Sequence, residues 1–327
     1  MILQELKHSL AKLLKVDPGV VMLNVIEGGL SHKSYRCDVS ECSYYIKVYN
    51  KIKNISNVVT YTNQLTEYMR GRGVPASRVV FYSSEFPNIV VHEFIEGRPP
   101  SGELSQVAAI AGLYSKVAMI GRDHSKYLSK PEYLSPIQII RDQLETSQVS
   151  GAEIDPVIHT GMLSLTDRVL SALEAGMRDE KLLHINVHDD FTEKNILMDG
   201  DQVKLLCDWD SCRLRYCNEH IASTASRFST TRPLGGLLEQ DKLGRFLGTL
   251  HPVLFENMAD IEAFAVLFPY WATLKHIRTY LFRSVVVHRD RPDLKQSLLS
   301  WPLQHCLWMI DNRQQVSDWI SQALPSD

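Results

Sequence analysis

Seven acidic residues crowd the stretch from Asn186 to Cys212, and four of them form two tight pairs, Asp189–Asp190 and Asp208–Asp210. His188-Asp189-Asp190-Phe191-Thr192-Glu193-Lys194-Asn195 fits the pattern H-x-D-x-x-x-x-N. Asp208 follows Asn195 by thirteen residues, at the end of the apolar run Val203, Leu205, Leu206, Cys207. A carboxylate and an amide oxygen are hard ligands. They suit Mg2+, which takes few protein ligands and leaves its remaining positions to water and substrate phosphates. Asp190, in the loop before Asn195, is placed to accept a proton from an incoming hydroxyl.

These groups must be brought together by their elements. Residues 196–198 read as a short strand, Asp199-Gly200-Asp201 as a turn, and 203–207 as a second strand. A hairpin of that length returns Asp208 to the end that carries Asn195. Alternation puts Asp208 and Asp210 on one face if the strand persists. Asp210 then either reaches a substrate amine or hydroxyl, or pairs with Arg213 or Arg215. Asp189 either raises one pKa of the Asp189–Asp190 pair or faces water, and the second reading is preferred. Lys194 puts a cation just before the asparagine.

The N-terminal half has its own pattern. Leu3, Leu6, Leu10, Leu13 and Leu14 mark an amphipathic helix, interrupted by charges that do not suit a signal peptide. Strands follow at 20–25, 34–39 and 43–49, then a helix at 57–72 and strands at 78–82 and 88–94. Gly28-Gly29 breaks the first strand. Lys47 lies mid-strand in "YYIKVYN", where alternation alone reads it as the exposed polar position of a half-buried strand. Gly97, Pro99 and Pro100 then read as a linker. Beyond it, 103–121, 136–147, 156–179, 259–285 and 313–324 read as helices, and Ser226 to Gly236 as an irregular connection. Strands first and helices later predict an α+β chain of two domains, 1–96 and 97–327.

These motifs together resemble the catalytic loop and metal-binding acid of the kinase superfamily. They are most similar to the aminoglycoside phosphotransferase and choline kinase-like small-molecule kinases. Cys207-Asp208-Trp209-Asp210 matches that group's I-D-W/F-D/E segment, whereas a protein kinase would carry a glycine after Trp209. The resemblance spans roughly Val25 to Arg215. It implies a two-lobed protein kinase-like fold, with an N-lobe antiparallel sheet plus one helix and a larger, mostly helical C-lobe.

It also implies ATP and Mg2+ as cofactors, with Asp190 as base and Asn195 and Asp208 as metal ligands. Lys47, on the third strand after the glycine turn, becomes the ATP lysine. Glu67, the one acid in 57–72, becomes its partner. Gly28-Gly29-Leu30-Ser31 becomes a reduced phosphate loop, with Ser31 adding a hydroxyl, or remains a plain hairpin turn. The main chain of His92-Glu93-Phe94 becomes the adenine contact, their side chains mattering less. Lys194 departs from the glycine usual in the group.

The implied reaction moves the γ-phosphate to a hydroxyl of a small molecule. A catalytically silent ATP-binding regulator and a protein kinase are the alternatives. Among the C-terminal helices, Tyr270, Trp271, His276, Arg278 and Tyr280 offer either an acceptor pocket or a core stripe.

A net charge of -3 attracts neither nucleic acid nor an anionic membrane, so neither is expected as a partner. The apolar run Ala263–Leu274 is too short to span a bilayer, and a cytoplasmic location is expected. Six cysteines in 327 residues make no disulfide framework, and the spacing of Cys207, Cys212 and Cys217 does not suit zinc.

Overall fold

The computed structural model describes residues 3–26, 32–49, 55–83, 88–123, 156–176, 184–231, 237–255, 261–286 and 295–324. The expected helix at 136–147 and the turn residues Gly28, Gly29 and Ser31 lie outside these. The described chain is α+β, as expected, and forms two compact units. The first comprises 1–99, 194–199 and 203–211. The second comprises 100–193, 200–202 and 212–327.

The first unit opens with helix α1 (Leu3–Leu14) and strands β1 (Val21–Ile26), β2 (His32–Val39) and β3 (Cys42–Tyr49). Helix α2 (Ile55–Arg70) and strands β4 (Val79–Ser83) and β5 (Asn88–Glu93) follow. The five strands form one antiparallel sheet in the order β1-β2-β3-β5-β4. Period-two alternation gives the sheet two unlike faces. One face presents Tyr35, Cys37, Val39, Ile46, Val48, Ile89 and Val91, which pack with Leu6, Leu10 and Ala11 of α1 into a buried core. In-register pairs put Ser34, Tyr45, Lys47 and His92 on the other face. The N-terminal helix therefore closes one face, while Val59 of α2 packs with Tyr49 and Val90 on the face that carries Lys47.

Strands β7 (Ile196–Asp199) and β8 (Gln202–Leu206) form the expected hairpin around Gly200, whose φ of 56° is the left-handed turn conformation. Most of this hairpin belongs to the first unit, and the backbone explains why. Arg98 and Met198 exchange two backbone hydrogen bonds, at 2.9 and 2.7 Å, and Leu206 N–H donates to Pro75 O at 2.7 Å. Gly97 is more than a linker signal. A Cβ there would meet Leu197 Cβ at 2.8 Å, so the close approach of the two segments requires glycine.

The second unit holds helices α3 (Leu104–Asp123), α4 (Pro156–Gly176), α5 (Cys217–Phe228), α6 (Gln240–Thr249), α7 (Ile261–Val286), α8 (Lys295–Asp311) and α9 (Arg313–Ala323). It also holds a two-stranded antiparallel sheet, β6 (His184–His188) with β9 (Cys212–Tyr216). The segment read as irregular, Ser226 to Gly236, begins inside α5, and its residues 232–236 are not described. Residues 104–122 of α3 are long and apolar enough to cross a membrane, yet Val107, Ile110, Ala111, Tyr114, Val117 and Ala118 are buried within the protein. That is the pattern of a core helix. In α7, Trp271 is fully buried with Phe264 and Phe268, which makes it part of the core stripe. Tyr270 and His276 are half-buried.

Candidate functional site

Lys47 of β3 is the centre of the first unit's polar face. Its side chain is only 3% exposed, and its ammonium lies 2.6 Å from Asp208 and 3.6 Å from Asp210. Burial alone would lower the lysine pKa; the Asp210 and Asp208 carboxylates outweigh it and hold the group charged, well above its usual value. Tyr49, two residues along the same strand and on the same face, donates its hydroxyl to Asp210. Burial raises the pKa of that phenol, and the two aspartates add to the effect, so it stays a donor. His32, opposite Tyr49 in the register, packs against its ring at 5.4 Å.

The hairpin delivers the acids as expected. Cys207 N–H donates to Asn195 O at 2.9 Å, which brings Asn195 to the same end of the hairpin as Asp208. The strand does not persist, however. β8 ends at Leu206, Asp208 takes a left-handed φ of 66°, and Trp209–Ser211 form a 3-10 turn. Trp209 anchors that turn, fully buried, with its indole N–H donating to Leu206 O at 2.7 Å. Both acids still reach one side, through the turn and not through strand alternation. Aspartate tolerates the left-handed region better than most residues, but it still carries local strain on the order of 1 kcal/mol. The Lys47 ion pair offsets that strain.

Two expectations about partners, for Glu67 and Glu93, are corrected, and the alternatives left open for Asp210 are narrowed. Glu67 does not pair with Lys47: its carboxylate is 52% exposed and lies 4.0 Å from Arg78. Among the described side chains of α2 the buried ones are Val59, Thr62, Thr66 and Met69, and Glu67 is one position off that stripe. Asp210 does not pair with Arg213 or Arg215, because both arginines are drawn to Asp189. Glu93 does not offer its main-chain donor to a ligand: its N–H donates to Arg78 O at 3.0 Å because β5 is an interior strand. Its side chain takes Arg70 at 2.6 Å. His92 sits in the same ladder, between Tyr45 and Val79. Phe94 lies just past the strand, with the Arg36 guanidinium 4.5 Å from its ring centroid.

In the second unit, Asp190 is exposed on the turn after β6, and both flanks of its loop are braced. Asp189 does not simply face water. It accepts two hydrogen bonds from Arg215, at 2.6 and 2.8 Å, and lies 3.4 Å from Arg213. Lys275 of α7 donates to its backbone carbonyl at 2.7 Å. Burial alone would raise this carboxyl's pKa; the Arg215 hydrogen bonds and the Lys275 charge outweigh it and hold the group far below the usual range. On the other flank, Glu193 takes a bidentate pair from Arg227 at 2.6 and 2.8 Å. Phe191 is buried against Tyr114, His188 and Phe228.

Among the described residues, no group of three His, Cys, Asp or Glu forms a closed metal cage. The donors present are oxygens, with two carboxylates facing one ammonium. Such an oxygen set fits a hard cation whose other ligands come from outside the protein, as Mg2+ prefers. Asn195 and Asp208 are the residues that would hold it.

Neither a family model nor a curated protein matches the sequence. Solved structures do match the fold. A microcompartment-associated aminopropanol kinase superposes with a TM-score of 0.65 at 12% identity, covering 97% of this chain and 99% of that one. Choline kinase from Cryptosporidium parvum Iowa II gives 0.64 at 12%, covering 98% of each. Spectinomycin phosphotransferase, solved with ADP and spectinomycin, gives 0.61 at 14%, covering 99% and 98%.

Proposed function

We propose that this chain, which has the protein-kinase-like fold of the small-molecule kinases, is an ATP- and Mg2+-dependent phosphotransferase with a small-molecule hydroxyl as acceptor. The observation that carries the reading is the buried Lys47 ammonium, 2.6 Å from Asp208 at the mouth of the Asn195–Asp208 hairpin. A buried lysine on a strand, set beside two carboxylates and held charged, suits a phosphate chain that arrives with its own cation. In this reading Lys47 binds nucleotide phosphate, Asn195 and Asp208 hold Mg2+, and Asp190 accepts the acceptor's proton. Mg2+, when bound, supplies charge neutralisation at the transferring phosphate. Most of the rate gain comes from positioning and electrostatics.

The test is ADP release against pooled hydroxylated metabolites and antibiotics. Asp190→Ala is expected to keep its melting temperature, because the residue is exposed, and to lose at least ~100-fold in turnover, as for loss of a general base. Near-normal turnover in that variant would remove Asp190 from the mechanism. A peptide array showing selective Ser/Thr transfer would favour a protein kinase instead.

A further inference from the structure

We infer that Tyr49 is a positioning residue for the proposed phosphate site: its hydroxyl holds the Asp210 carboxylate off the Lys47 ammonium. The inference rests on the phosphotransferase reading and adds to it how the lysine is kept from being taken up by the protein's own carboxylates. An ammonium has three donors. One of them goes to Asp208 Oδ1 at 2.6 Å. Asp210 Oδ2 lies 3.6 Å from the same nitrogen, beyond hydrogen-bond range. That oxygen is the one that accepts the Tyr49 hydroxyl. Two carboxylates therefore stand beside the lysine, and Asp208 alone of the two hydrogen-bonds it.

The elements fix the tyrosine end of this contact more firmly than the aspartate end. Lys47 and Tyr49 lie two positions apart on β3, so both side chains stand on one face of the sheet. Tyr49 is 6% exposed, its ring packs with Val59 and Val90, and His32 lies 5.4 Å from it. A ring held on several sides carries its hydroxyl to one place. Asp210 sits in the Trp209–Ser211 turn, whose backbone is anchored by the buried Trp209. Its side chain is less confined, at 24% exposure, and can turn while the backbone stays put. A lysine–carboxylate hydrogen bond closes at about 2.8 Å, so a shift of less than about 1 Å would bring Asp210 onto Lys47. Lys47 would then be held by both carboxylates, and an incoming phosphate would have to displace one of them. The Tyr49 hydroxyl prevents this by engaging the oxygen that faces the lysine.

The test is a double-variant cycle in the full-length protein. Inorganic tripolyphosphate and ADP, each with Mg2+, are titrated by calorimetry into wild type, Tyr49→Phe, Asp210→Asn and the combination of the two. Tyr49→Phe keeps the ring and is expected to melt within about 4 °C of wild type. It is expected to weaken both ligands about 5- to 10-fold, the equivalent of one hydrogen bond. The combined variant is expected to recover most of that loss and to bind like Asp210→Asn alone, because asparagine brings no charge to compete for Lys47. A hydroxyl that only supported packing would cost binding in both backgrounds. Tripolyphosphate binding by Tyr49→Phe within about twofold of wild type overturns the inference, as does a combined variant as weak as Tyr49→Phe, and either result leaves the kinase reading standing. A Tyr49→Phe chain that fails to fold makes the hydroxyl structural and overturns the inference too. If wild type binds neither ADP nor tripolyphosphate, the kinase reading falls and takes the inference with it.

Discussion

The two acidic pairs look alike in sequence and meet different partners in the structure. At Asp208 and Asp210, two carboxylates lie beside the Lys47 ammonium. At Asp189, one carboxylate faces two guanidiniums, and a lysine holds its carbonyl. The first arrangement sets two carboxylates beside one lysine, where the proposed Mg2+ would add a second cation. The second is already neutralised and fixes the loop whose next residue is Asp190. Spacing alone does not reveal which partners each acid meets.

That contrast can be broken by exchanging each acid for its amide. Asp208→Asn is expected to have the largest effect, about 100- to 1,000-fold in turnover, as when a charge-stabilising group is removed. Its fold should persist, because asparagine tolerates the left-handed backbone at this position and Asp210 still neutralises Lys47. Asp189→Asn is expected to act on stability first. Arg215 loses its counter-charge in a mostly buried pair, with side-chain exposures of 17% and 18%, for a loss of about 2–3 kcal/mol in denaturant unfolding. If Asp189→Asn instead abolished turnover at unchanged stability, the two pairs would not differ as described.

The pH dependence sharpens the same point. The folded pKa of Asp189 lies below its unfolded value of about 3.9, so its contribution is fully present above that pH and is lost as the pH falls below it. The stability gap between wild type and Asp189→Asn should therefore close below about pH 4. Glu67→Gln should do least. Its exposed 4.0 Å contact with Arg78 predicts a stability change within about 0.5 kcal/mol and turnover within about twofold of wild type.

Local pattern carried much of this architecture. Alternation located the five strands of the first sheet, and Asp199-Gly200-Asp201 marked the turn of the hairpin. The α+β class follows from the same signals. What the pattern could not carry was choice of partner. Glu67 was the one acid on the right helix, but helical phase turns it away from the buried stripe. Lys47 meets Asp208 across 161 residues, a distance over which no local signal operates. The pairing of β6 with β9, and with it the convergence of Arg213 and Arg215 on Asp189, is likewise tertiary. Tyr49 was within reach of the sequence, since it lies two positions from Lys47 on a strand and so shares its face. His92 was placed correctly in its strand.

The first unit is discontinuous along the chain, running to residue 99 and resuming at 194. A ribosome that has released only the first hundred residues has supplied all five strands of the sheet but neither Asp208 nor Asp210, which meet Lys47. That ammonium must stay hydrated until Asp208 emerges, so the polar face is among the last parts of the unit to close. A fragment ending at Pro99 would keep the apolar core against α1 and expose Lys47 to water. It should behave as a partly ordered sheet that regains cooperative unfolding only when residues 194–211 are restored.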